Sequence, residues 1–95
     1  MMAIPFDTRV VKPPDILMQE LEGESVFLHL ERGQYLGLDE VATHMWQTLV
    51  ASESIQVAYE SLLAEYEVDG EQLRQDMQEL VEKLVEHGLV TLDTN

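Results

Sequence analysis

A chain of 95 residues with 45% hydrophobic content suits one folded domain and leaves little beyond a single core. Nineteen acidic against five basic residues give a formal net charge of -14, a field that repels nucleic-acid phosphates and anionic lipid headgroups and favours a basic or neutral partner. Cysteine is absent, which excludes disulfides, thiolate metal sites and cysteine nucleophiles together. No stretch reaches the roughly 20 apolar residues of a membrane span or takes the form of a signal peptide, so the expectation is a cytoplasmic protein that engages neither membrane nor nucleic acid.

Residues 1–15 mix isolated apolar side chains with Pro5, Pro13 and Pro14. The adjacent prolines predict an extended or mobile N-terminal arm outside a domain covering 16–92. From Ile16 three short runs, ILMQEL, SVFLHL and QYLGL, are rich in apolar and β-branched residues and read as strands. A glycine stands in each separator, Gly23 and Gly33, which predicts two tight hairpins and a three-stranded antiparallel meander. Strand parity assigns Val26, Leu28 and Leu30, with Leu36 and Leu38, to the core face, and turns Phe27, His29 and Tyr35 outward. The facing of ILMQEL stays open.

At Asp39 the apolar period changes from two to 3.6, and Asp39 is a suitable N-cap for a helix reaching to about residue 50. Val41, Ala42, Met45, Trp46 and Leu49 share one arc of that helix, its expected buried side. Ser52 or Ser54 caps a second helix with Ile55, Tyr59, Leu62, Leu63 and Tyr66 on one face. A third begins at Asp69, with Gln72 at capping-box spacing, and ends at Gly88. Its core stripe is Leu73, Met77, Leu80 and Leu84. The fold class is α+β: a three-stranded antiparallel sheet followed by three helices, winged helix-turn-helix-like.

Little in this text nominates catalysis. His29, His44 and His87 fall on three different elements without ligand spacing, so no metal site is expected. The carboxylates lie mostly on polar helix faces, no glycine-rich phosphate loop is present, and no serine has a nucleophile-elbow setting. The expectation is a non-enzyme without a cofactor.

Three strands followed by three helices, with YLGLDEVATHMW at the strand-to-helix junction and EYEVDGEQLRQDMQELVEKLVEHGLV at the end, resembles the PqqD-like family of peptide chaperones and recognition elements in ribosomal-peptide modification. The resemblance implies a domain that captures the leader of a precursor peptide as an added strand and presents it to a modifying enzyme. That enzyme would be a leader peptidase, a cyclase or a radical enzyme, and the freestanding form suits the lasso peptide type. On that implication Gln34, Tyr35, Leu36, Gly37 and Leu38 pair with the leader backbone, Tyr35 flanking the pocket or facing solvent. About five residues of edge span roughly 16 Å. On the third helix, counting 100° per residue from Leu73, Arg74, Val81 and Val85 form a shoulder at about 80 to 120°. Met77, Val81 and Val85 are the expected pocket wall, and Arg74 the expected contact to a leader carboxylate. The opposite shoulder, with Gln72, Asp76, Glu79 and Lys83, is polar.

Two other readings compete. An enzyme-docking adaptor that reads no leader would use the sheet face around Phe27 and Tyr35. A winged-helix DNA-binding regulator would need basic residues on its groove helix, and SIQVAYESLLAEY has none.

Overall fold

The computed structural model describes residues 4–94; residues 1–3 of the expected arm lie outside the described residues. In chain order the elements are β1 (Thr8–Val11), β2 (Ile16–Leu21), β3 (Glu24–His29), β4 (Gln34–Leu38), α1 (Glu40–Ala51), α2 (Ile55–Glu65), α3 (Gly70–Glu86) and β5 (Thr91–Thr94). The expected meander and three helices are present in order, and the class is α+β. The meander is antiparallel with order β2-β3-β4, and β1 pairs with β5 in a second, two-stranded antiparallel sheet.

That second sheet corrects the reading of the N-terminus. From Ile4 onward the segment is extended but not an appendage: Ile4, Phe6, Thr8 and Val10 are buried in alternation. The amide of Gln56 on α2 donates to the Phe6 carbonyl at 2.8 Å, and the Phe6 ring meets Tyr59 edge-on at 6.3 Å. Chain between β1 and β2, including Pro13 and Pro14, only links the two sheets.

The β2–β3 link is two residues, Glu22 at φ 54° and Gly23 at φ 86°. Two successive positive φ values define the mirror-image turn whose twist matches a hairpin. The facing of β3 is the reverse of the parity expectation. Ser25, Phe27 and His29 are buried, while Val26 and Leu30 are exposed and Leu28 is half-covered. Both faces of SVFLHL carry apolar side chains, so parity alone could not choose. The choice goes to Phe27, which packs edge-on against Trp46 at 4.8 Å and is 0% exposed. Its polar neighbours are accommodated: the Ser25 and Thr43 hydroxyls share a hydrogen bond of 2.8 Å, and Thr43 lies 3.3 Å from the Leu38 carbonyl. On β4, Leu36 and Leu38 face the core as expected.

The helices start where their caps predict. Asp39 accepts from the Ala42 amide at 2.8 Å, Ser54 from Val57 at 3.1 Å, and Asp69 from Glu71 at 3.4 Å. Gln72 does not close a capping box; its amide donates to Asp76 instead. At the end of α3, Gly88 takes φ 68°, its amide bonds the Val85 carbonyl and the Leu89 amide bonds that of Leu84. This is the Schellman pattern that needs a residue tolerant of left-handed backbone. Leu73, Met77, Leu80 and Leu84 are buried as expected. Val41, expected among the buried residues of α1, is instead 67% exposed.

Candidate functional site

β4 is an edge strand: β3 covers one side, and no strand covers the other among the described residues. An uncovered strand presents unpaired N–H and C=O groups, a ready template for another chain. β2, the opposite edge, is partly occupied, because the Lys12 ammonium donates to the Ile16 carbonyl at 2.6 Å.

Gly37 and Leu38, at the end of β4, border a groove of about 620 Å³. Its floor is apolar, with Leu38, Val41, Ala42, Met45 and Leu80, and its α3 wall is charged, with Asp76, Glu79, Glu82, Lys83 and Glu86. At Val41, Met45 and Asp76 the groove continues into a more enclosed, mostly apolar cavity of about 430 Å³, walled by Leu62, Tyr66, Val68 and Leu73 near the α2–α3 turn. His44, on the rim of that cavity, bonds Glu65 at 3.1 Å and stands edge-on to Tyr66 at 5.7 Å. The wall carboxylates bond neutral amides: Gln72 donates to Asp76 (2.8 Å), Gln75 to Glu79 (3.3 Å) and Gln78 to Glu82 (3.2 Å). Among the described residues none of Asp76, Glu79, Glu82 and Glu86 forms an ion pair. No serine, threonine or histidine lines the larger groove. Among the described residues no cluster of three His, Asp or Glu could hold a metal ion. The arrangement offers a strand edge, an apolar trough and fixed negative charge, which together suit it to binding an extended polypeptide.

The sequence model of coenzyme PQQ synthesis protein D (PqqD) matches residues 24–90. The chain belongs to the PqqD family. The match runs from β3 through α3 to Val90 and so includes every element that walls the groove. Solved structures extend the likeness to most of the fold. One is TbiB1 in complex with the TbiA(beta) leader peptide, 26% identical over 84% of this chain and 93% of that one, with a TM-score of 0.76. Another is a lasso peptide synthetase B1 complexed with the leader peptide, 26% identical over 87% and 98%, with a TM-score of 0.77. No curated protein matches the chain significantly.

Within this PqqD-family fold the expected site residues divide into two groups. Gln34, Tyr35, Leu36, Gly37 and Leu38 all lie on the edge strand, with Tyr35 75% exposed on the outer face. The expected α3 wall does not join them. Val81 and Met77 are each 0% exposed within the core, and Val85 is half-buried against it. Arg74 stands 4.0 Å over the Phe6 ring and bonds Gln56 at 3.3 Å, so it clamps the N-terminal segment rather than facing β4. The physical reason is helix rotation. The Val81 shoulder of α3 completes the core, which turns the Asp76, Glu79 and Lys83 shoulder toward β4. The sequence reading treated that stripe as solvated. Its signal was Leu80, a core residue with acidic neighbours four positions before it and one before it, but only the position of β4 gives that pattern meaning.

Proposed function

We propose that this PqqD-family chain is a non-catalytic leader-peptide-binding protein. It captures the leader of a ribosomally made precursor as a strand added to the free edge of β4, over the groove between α1 and α3, and presents it to a modifying enzyme. The observation that carries the reading is the uncovered edge of β4, whose Gly37 and Leu38 border an apolar-floored groove, in a fold shared with two leader-peptide complexes. Backbone pairing supplies affinity in such capture and side-chain pockets supply selectivity. The likeness to a lasso peptide synthetase B1 favours lasso peptide assembly, with a leader peptidase and a cyclase as enzyme partners, over a radical-enzyme pathway. No described helix is long and apolar enough to cross a membrane, and we place the action in the cytoplasm.

The test is titration of leader segments from precursor peptides encoded beside the gene, against the native chain and Val41→Trp. Val41 is exposed on α1 and shared by both cavities, so the indole obstructs the trough without disturbing the core. Micromolar or tighter binding by the native chain, weakened at least tenfold by Val41→Trp, is the expected result. Binding to no leader at all sinks the proposal.

The adaptor reading keeps one observation in its favour: Leu17, Val26 and Tyr35 are exposed together on the outer sheet face. Phe27, which that reading also invoked, is buried and takes no part. Co-purification of an enzyme without leader binding would favour the adaptor. For the DNA-binding reading nothing speaks: the net charge is -14 and α2 carries no Lys or Arg.

A further inference from the structure

We infer that the groove selects a leader with basic side chains, Lys or Arg at alternate positions, on the face turned toward α3. The inference rests on strand capture at β4 and specifies the chemistry of the captured segment. In an added strand, successive side chains point alternately inward and outward. Each inward side chain ends either on the apolar floor of Leu38, Met45 and Leu80 or at the α3 wall above it. From Asp76 to Glu86 that wall rises about 15 Å along the helix axis, close to the roughly 16 Å spanned by a five-residue strand. The groove meets β4 at Gly37 and Leu38, so the acidic stripe faces the part of a captured strand that pairs there.

The wall carries Asp76, Glu79, Glu82 and Glu86 against one cation, Lys83. Asp76, Glu79 and Glu82 each accept from the glutamine amide four residues earlier in the chain, which orients them without neutralising them. An acidic side chain entering here meets like charge at a distance that physiological salt does not screen. A lysine or arginine finds a carboxylate already oriented and gives up less freedom on pairing. Complementary charge of this kind acts mainly on selectivity and on the rate of encounter.

The experiment is selection from a displayed library of peptides of about 15 residues, long enough for a five-residue edge in any register, drawing equally on Lys, Glu, Gln, Leu, Val, Tyr and Pro. Enriched peptides are then titrated against the intact native chain, Val41→Trp, the wall variant Asp76→Lys/Glu79→Lys and a control, Glu24→Lys/Glu60→Lys. The control makes the same change in net charge at residues that line neither the groove nor the cavity it continues into. The expected binders carry Lys well in excess of Glu, at alternate positions, and are blocked by Val41→Trp. They weaken about tenfold on the wall variant and less than about twofold on the control. Binders that are blocked by Val41→Trp but show no Lys excess, or that weaken equally on wall and control, overturn the charge inference and leave strand capture standing. If no binder is sensitive to Val41→Trp, both fall.

Discussion

Truncating Phe6 to alanine tests whether the N-terminal segment belongs to the folding unit. The ring is 7% exposed, edge-on to Tyr59 and capped by the Arg74 guanidinium at 4.0 Å. Phe-to-Ala changes in a core cost about 3–5 kcal/mol, the transfer term plus the cavity left behind. Its neighbours Pro5 and Asp7 are exposed, so the segment can relax into the vacated space and the lower end applies. The lost cation–π contact adds roughly 0.5–1 kcal/mol, bringing the total to about 3–4 kcal/mol. Domains of this size lose about 4–8 °C of Tm per kcal/mol, so Tm falls by roughly 12 to 30 °C. The assay is thermal and guanidinium unfolding followed by Trp46 fluorescence, since the single tryptophan is buried against Phe27 and reports directly on the core. Asp7→Ala, at an exposed neighbour, should change stability by less than about 0.5 kcal/mol. A Phe6→Ala midpoint indistinguishable from native would refute the argument and return residues 4–11 to the status of a loose arm.

Val81→Glu places a carboxylate where the side chain is wholly enclosed; the cost of several kcal/mol approaches the entire stability of a small domain, and cooperative unfolding should be lost. A Val81→Glu protein with native circular dichroism and no leader binding would instead put Val81 in the groove. Glu22→Asn relieves a left-handed glutamate in the β2–β3 turn and should raise stability by about 0.5–1 kcal/mol in urea titration; a fall counts against the turn assignment. Thr43→Val leaves the buried Ser25 hydroxyl without its partner, at about 1–3 kcal/mol, and adding Ser25→Ala should recover most of the loss. Simple additivity in that double-mutant cycle would show that the two hydroxyls do not act as a pair.

What the sequence made legible is what local chemistry decides. The meander, the caps at Asp39, Ser54 and Asp69, and the glycine stop at Gly88 are each set by residues a few positions apart. Three features escaped because each depends on distant partners. The β1–β5 pairing joins chain ends such as Val10 and Leu92. Its signal, the alternation of Ile4, Phe6, Thr8 and Val10, was hidden among prolines that suggested an arm. In β3, Phe27 outweighs three aliphatic side chains on the opposite face because Trp46 stands over it, and the position of Trp46 is a tertiary fact. On α3, two shoulders flank one core stripe, and the apolar one looked like surplus surface. The core needed it, so the polar one faces β4. The place of Gln34 to Leu38 on an edge strand was therefore readable, and the burial of Met77 and Val81 was not.

The open edge of β4 follows from how the chain spends its strands. Leu38 is followed at once by Asp39, whose cap turns the chain into α1, so the element next after β4 is a helix and not a strand folded back over it. β1 and β5 pair with each other in a separate sheet and do not cover it. An exposed edge is also a site for unwanted pairing between copies. Here the acidic wall acts on both problems. Two chains meeting edge to edge would approach to the strand spacing of about 4.8 Å, inside the physiological screening length of about 8 Å. Each would bring its own row of carboxylates, on a molecule of net charge -14. The charge proposed to admit a basic leader would then also oppose a second copy of the chain.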